Sequence, residues 1–321
     1  MAQESFTQRV WFLVGPTASG KTSLGIEVAE RVGAEILSLD SMALYCRMDI
    51  GTAKPSADER QRIPHHLVDL AEPHEAFSTG RYLAAADAAI ADVVARGRLP
   101  LFVGGTLLYL KALTEGFFEG PAADWNLRNR LVAQAEADGT EALHRQLAEA
   151  DPEAAGRIHP NDLRRIVRAL EVFEVTGVPI SAQQTQFGQP SSRYDCVLAG
   201  IRRDRQELYS RINRRVDAMF EAGMVGEVRG LLADPRGISH AAAQFVGYKE
   251  IIAYLHGDTS LDDARELVQT HTRQFAKRQF TWFRRFPQIR WVDASPQSTV
   301  EELADAVIEA LELDGPRDGV D

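Results

Sequence analysis

Gly15-Pro16-Thr17-Ala18-Ser19-Gly20-Lys21-Thr22 decides the fold of this chain. The octapeptide matches G-x-x-x-x-G-K-[ST] in full. It follows the apolar run Val10-Trp11-Phe12-Leu13-Val14 and opens into Ser23-Leu24-Gly25-Ile26-Glu27-Val28-Ala29, whose apolar residues recur at helical spacing. A strand, a glycine turn and a helix in that order make a phosphate loop, in which backbone N–H groups and the helix N-terminus receive a polyphosphate. Residues Gly15 to Thr22 are therefore the expected phosphate-binding set, with Lys21 on phosphate oxygens and Thr22 on Mg²⁺. The pattern leaves the compound open: ATP in a kinase or NTPase, or a substrate that expels diphosphate, would use the same cradle.

The 321 residues, 45% of them hydrophobic, suffice for one large domain with an insertion, or for two domains. A formal net charge of -10 argues against a protein that coats nucleic acid over its whole surface. The charge is uneven, however. Ile201 to Arg290 carries 16 Lys/Arg against 11 Asp/Glu, and the remainder 20 against 35, which allows a basic face on an acidic protein. Cys46 and Cys196 are far apart and unpaired in pattern, as in a reducing compartment. No stretch has the length of a membrane span, and Met1 to Arg9 is too short and polar for a signal peptide. A cytoplasmic protein is expected.

After the first helix, Glu35 to Leu39 reads as a buried strand ending at Asp40. Ligands in open α/β sheets sit beyond the carboxyl ends of strands, so Asp40 is a candidate base; a cap or a role near Mg²⁺ would suit the same position. Tyr45 to Pro55 reads as an ordered loop beside the site. His65 and His66 are adjacent on a strand and point to opposite faces, which argues against a shared metal. Arg81 to Arg96 is an amphipathic helix. Leu99 to Val103 is another strand, ending in Gly104-Gly105-Thr106 where many phosphate-loop NTPases place an Mg²⁺-associated Asp. Glycines there suit close backbone approach of a ligand and weaken the NTPase reading.

Residues 120–190 change character to polar helical patterns and are expected to form a helical insertion between a core segment at 1–119 and its completion at 191–321. Inside it Arg164 and Arg168 share a helix face beside Arg165, as a solvated face or as a nucleic-acid clamp. Asp195 to Ile201 returns to strand, and Arg205 to Leu232 reads as one amphipathic helix bearing Arg211, Arg214 and Arg215 on its polar face. Arg273, Lys277, Arg278, Trp282, Phe283, Arg284 and Arg285 mix cations with aromatics that could stack on bases. Ile289 to Val292 is a further strand, followed by an acidic helix and a frayed end.

In their shared order, GPTASGKT at Gly15, DSMALYCRMDIGTAKP at Asp40, PHHLVDL at Pro64, GGTLLYLKAL at Gly104, RIHPNDLRRIVRALEVF at Arg157, VGYKE at Val246 and TRQFAKRQFTWFRR at Thr272 resemble the tRNA dimethylallyltransferase (tRNA isopentenyltransferase) family. The likeness is to bacterial-type members, without the zinc-finger extension of eukaryotic ones. It implies an α/β fold with a nucleotide-kinase-like parallel sheet and a helical insertion domain. It also implies transfer of a dimethylallyl group from its diphosphate to N6 of adenosine 37 in the tRNA anticodon loop, with Mg²⁺. By that likeness Asp40 is the base, Thr22 the metal contact, and Arg215, favoured over Arg211, a diphosphate contact. The tRNA contacts would be Asp40, Ser41, Met42, Ala43, Thr106, Arg128, Arg164, Arg165, Ile166, Val167, Arg168, Gln244, Phe245, Val246, Gly247, Tyr248 and Lys249. Many members have a glutamine near the position of Ala43, so the hydrogen bond it would give to the base is not expected here. A monomer is expected.

Three other readings compete. A small-molecule kinase would consume ATP and leave the arginine and aromatic clusters unexplained. A prenylator of free adenine nucleotides would need neither the helical insertion nor the basic C-terminal half. A non-catalytic RNA-binding switch would survive Asp40→Ala.

Overall fold

The structure, a computed structural model, describes residues 8–116, 118, 120–121, 123–183 and 193–313. Two compact units emerge: one from the described residues up to Thr114 together with those from Arg193 onward, the other within 115–192. The helical unit is thus slightly wider than the 120–190 expected.

The first unit is built on a six-stranded, all-parallel sheet: β1 (Arg9–Val14), β2 (Ala34–Leu39), β3 (His65–His66), β4 (Leu99–Gly104), β5 (Asp195–Arg203) and β6 (Arg290–Ala294), in the order β3-β2-β4-β1-β5-β6. The apolar run of β1 and the unbroken burial of β2 follow from this arrangement, because central parallel strands are covered on both faces. Helices α1 (Lys21–Val32), α2 (Ala57–Arg62), α3 (Thr79–Ala95) and α4 (Leu107–Glu115) accompany the first four strands. Gly25 lets α1 sit tightly on the sheet, since a Cβ there would meet Val103 Cγ2 at 2.8 Å. One core gathers Leu13, Ile26, Ile36, Leu101, Ile201 and Val307.

The helical unit holds α5 (Trp125–Asp138), α6 (Thr140–Ala150), α7 (Pro152–Arg157), α8 (Leu163–Thr176) and α9 (Ile180–Gln183) around its own core of Leu131, Leu143, Leu147, Ile166 and Leu170. Three of these helices, α5, α7 and α8, are capped by Asp124, Asp151 and Asp162, each of whose side chains accepts a first-turn N–H.

The chain then adds α10 (Arg205–Glu221), α11 (Met224–Leu232), α12 (His240–Ala243), α13 (Tyr248–His256), α14 (Leu261–Phe283) and α15 (Val300–Ala310) to the first unit. The single helix expected over Arg205–Leu232 is two helices. Gly223, at φ 98°, takes a left-handed conformation that glycine adopts without strain, and the apolar periodicity resumes on the far side of the turn. The frayed end expected beyond Leu313 lies outside the described residues.

Candidate active site

The phosphate loop is held from three elements. Arg203 of β5 donates from Nε to the Ser19 carbonyl at 2.7 Å, and Arg211 of α10 donates from Nε to the Ala18 carbonyl at 2.9 Å. Gln279 of α14 accepts the Thr17 N–H at 2.8 Å. Lys21 donates from Nζ to the Pro16 carbonyl at 2.6 Å. Gly20, at φ 96°, turns the loop into α1. Gly15 has no room for a side chain, because a Cβ would lie 2.9 Å from the Ile201 carbonyl oxygen and 3.1 Å from Ser19 Oγ. With its carbonyls engaged by cations, the loop is a site for an anion.

Beside it lies a cavity of about 160 Å³. Thr17, Ala18, Lys21, Thr22, Asp40 and Arg215 line its polar end. Its apolar wall comes from Ile212, Val216 and Met219 of α10 and from Val268, Thr272 and Phe275 of α14. Both stripes follow helical spacing, so the wall is one face of each helix. Asp40 stands one residue past β2, and its Oδ1 accepts the N–H groups of Met42 at 2.8 Å and Ala43 at 3.3 Å. Asp40 thus caps the turn after β2 through Oδ1 while it also lines the cavity. Burial brings the Lys21 ammonium down to about 7; the Arg215 cation adds to the effect and Asp40 opposes it. Arg215 is itself lowered by burial, against the attraction of Asp40. Arg215 shares the cavity with Asp40, whereas Arg211 clasps the loop backbone.

Gly104 and Gly105 line the cavity, and the fold gives them a second cause besides the one expected. A Cβ on Gly104 would lie 2.3 Å from the Leu39 carbonyl oxygen, and one on Gly105 would lie 2.8 Å from the Gly15 carbonyl oxygen. The close approach they permit is that of the protein's own backbone. Gly105 and Thr106 donate their N–H groups to Leu39 O at 3.1 and 3.0 Å, and Thr106 Oγ1 accepts the Ser41 N–H at 3.0 Å. The ends of β2 and β4 are thereby locked side by side.

The loop expected beside the site does line the cavity, through Gly51, Thr52, Ala53 and Pro55. It is pinned by Glu227 of α11, whose carboxylate accepts the N–H groups of Asp49, Ile50 and Gly51 at 2.8, 2.7 and 3.1 Å. His65 lines the cavity with Nδ1 2.8 Å from the Ile63 carbonyl, while His66 contacts Glu35 at 2.6 Å. Among the described residues no cluster of His, Cys, Asp or Glu could hold a metal by itself.

The residues expected to contact nucleic acid differ in their burial and pairing. Ile166 (0% exposed) and Val167 (5%) belong to the core of the helical unit. Arg128 and Arg168 both pair with Glu171, whose side chain is fully buried: Arg128 bonds it twice at 2.8 Å, and Arg168 adds a bond to the Pro121 carbonyl at 3.0 Å. Arg164 and Arg165 remain exposed, Arg165 near Asp162. Met42 and Ala43 are buried, although Ala43 touches the cavity. Tyr248 is fully buried and donates its hydroxyl to Glu227 at 2.7 Å, and Gly247, at φ 102°, leaves room for the Met224 methyl. Phe245 and Val246 line the cavity, and Gln244 and Lys249 are exposed.

Gln279, Arg203, Glu227 and His65 were not among the expected site residues. Gln279 carried a signal: it continues the helical spacing of Val268, Thr272 and Phe275 and is the amide of that stripe.

The sequence pattern of the IPP transferase family matches residues 43–286, and that of isopentenyl transferases residues 8–75. A tRNA dimethylallyltransferase of Geobacter metallireducens is 49% identical over 91% of this chain and 94% of its own length. One from Symbiobacterium thermophilum is 49% identical over 93% of each. The crystal structure of the tRNA isopentenylpyrophosphate transferase of Bacillus halodurans, 38% identical, covers 95% of this chain and 97% of its own with a TM-score of 0.68. A eukaryotic dimethylallyltransferase solved acting on tRNA, 28% identical, covers 94% of this chain and 78% of its own with a TM-score of 0.78. By its sequence along nearly its whole length and by the sheet that carries its phosphate loop, the chain belongs to the IPP transferase family, that of the tRNA dimethylallyltransferases.

Proposed function

We propose that this chain transfers the dimethylallyl group of dimethylallyl diphosphate to N6 of adenosine 37 in the anticodon loop of tRNA, releasing diphosphate. The observation that carries this reading is the make-up of one cavity. An anion cradle and a carboxylate meet an apolar wall there, and two glycines stand where an ATP-splitting site would place its acid.

An adenine amino group is a weak nucleophile because its lone pair is delocalised into the ring, so proton removal assists it. Asp40, steadied through Oδ1, takes the N6 proton on Oδ2 as N6 bonds to C1 of the dimethylallyl group and the C1–O bond to diphosphate breaks. The negative charge that develops on the diphosphate is met by the loop N–H groups, Lys21 and Arg215. Ile212, Val216, Met219 and Phe275 shelter the allylic carbons from water.

Mg²⁺ fits this donor set. Thr22 is exposed at the cavity beside the cradle and Asp40 faces the same space, and Mg²⁺ ordinarily combines one or two protein oxygens with phosphate oxygens and water. When bound, it would neutralise charge on the departing diphosphate.

The target adenosine must leave its stack, at roughly a few kcal/mol, less in a loop than in a duplex. Phe245 and Val246 at the cavity, with exposed Gln244 and Lys249, suit an unstacked loop base. Arg164 and Arg165, and Lys277 and Arg278 on the outer face of α14, suit phosphates. The setting is a cytoplasmic monomer; no helix among the described residues is long and apolar enough to cross a membrane.

The test is incubation of the protein with unmodified tRNA, labelled dimethylallyl diphosphate and Mg²⁺, followed by nucleoside mass analysis, with Asp40→Ala in parallel. Prenylated adenosine from the wild type and almost none from the variant is expected. ATP consumption on a small acceptor, with no prenylated nucleoside, would replace this reading with a kinase.

A further inference from the structure

Along α14 a single stripe faces the cavity: Val268, Thr272, Phe275 and Gln279. Gln279 ends the stripe at the phosphate loop and is 4% exposed. Its carboxamide oxygen accepts the Thr17 N–H at 2.8 Å, and its nitrogen donates to the Gly105 carbonyl at 2.9 Å. Each partner accepts only one orientation of the amide, so the two bonds together fix the side chain. Gly105 is cut to fit it, since a Cβ there would lie 2.6 Å from Gln279 Nε2. One buried side chain therefore joins the phosphate loop to the turn after β4, and that turn leads directly into Thr106, the partner of Ser41 next to Asp40.

We propose that Gln279 is a positioning residue for the transfer: it sets the phosphate loop against the β4 turn, and so sets where diphosphate rests relative to Asp40. Arg203 and Arg211 hold the carbonyls of Ser19 and Ala18, and both leave Thr17 to be placed from α14. A loop already held in its binding geometry spends less of the interaction with its anion on ordering, and donors fixed in advance serve developing charge best. The transfer half of the proposal rests on the function proposed above; the diphosphate half stands without it.

Two substitutions test it. Gln279→Met nearly matches the side chain in size and removes both hydrogen bonds. Gln279→Asn keeps an amide but is a methylene too short to span both partners. Three readings are taken on each: affinity for inorganic diphosphate with Mg²⁺ by calorimetry, affinity for tRNA by filter binding, and kcat and KM for dimethylallyl diphosphate. Both variants are expected to lose about tenfold in diphosphate affinity, the equivalent of about 1.4 kcal/mol, and to lower kcat as well as raise KM, while tRNA affinity stays within about twofold. Diphosphate affinity and kcat within about twofold of wild type in either folded variant would overturn the proposal, as would diphosphate and tRNA affinity falling together in step with melting temperature. A wild type that binds diphosphate yet prenylates no tRNA would overturn the function instead, and Gln279 would then be judged on diphosphate affinity alone.

Discussion

The arginines of α10 and those of the helical unit have the same appearance in the sequence, and the fold uses them in opposite ways. Arg211 and Arg215 stand at the phosphate loop, one bonded to its backbone and the other facing the cavity with no acidic side chain bonded to it among the described residues. Arg128 and Arg168 turn inward and share the single carboxylate of Glu171. A cation is available to an anionic substrate where the protein withholds a carboxylate from it, and it is structural where a buried carboxylate meets it. Helical spacing cannot tell the two apart, because the deciding acid lies on another turn or another helix.

The largest effects expected on the phosphate side come from the groups that touch reacting atoms. Asp40→Ala should lower kcat by roughly 10²–10⁴-fold, read by single-turnover transfer at saturating tRNA. Lys21→Ala should cost roughly 10²–10³-fold in kcat/KM for the prenyl diphosphate. On the helical side, Glu171→Ala leaves two cations without their buried partner and should destabilise that unit by about 3 kcal/mol, read by urea unfolding. If Glu171→Ala instead weakened tRNA binding with stability intact, the contrast between the two arginine sets would collapse.

A smaller effect separates the sites by pH. The Lys21 ammonium titrates at about 7 in the free protein, below its ordinary range, and its protonated form is the one that binds diphosphate. Diphosphate affinity should therefore be complete below about pH 7 and fall by up to tenfold per unit above it, with a proton taken up on binding in that upper range. Calorimetry in buffers of different ionisation enthalpy reads the proton; affinity that is flat from pH 6 to 9 would remove Lys21 from the cradle.

The smallest effects sharpen the helical side. Arg164→Ala should reduce the salt dependence of tRNA binding by about one phosphate contact without changing stability. Arg128→Ala should do the reverse, since its partner is Glu171. Filter binding across a salt series, with melting curves on the same samples, distinguishes them.

Much of the fold was legible in the chain. The octapeptide at Gly15, the apolar character of β1, β2 and β4, and the shift to polar helical patterns near residue 120 each have local causes. Where local reading failed, a long-range contact had decided. Gly223 broke one expected helix into two although apolar spacing ran on past it. Gly104 and Gly105 read as room for a ligand, and they also make room for Leu39 and the phosphate loop. Tyr248, within a motif that suggested tRNA contact, is a buried support for the loop at Asp49 to Gly51 through Glu227.

By itself the sequence determined the phosphate loop, the order of the strands along the chain, the candidate base at the end of β2 and the family. These depend on residues within a few positions of one another, or on motifs in a fixed order. Only the tertiary structure decided which arginines stay available, why the β4 turn is glycine, and which side chain ties the loop to that turn. Gln279 lies 262 positions from Thr17, and the carboxylate that claims Arg128 lies 43 positions from it. Hydrogen bonds of that reach exist only after the sheet and its helices have closed, because burial then obliges each polar group to find its partners within the fold.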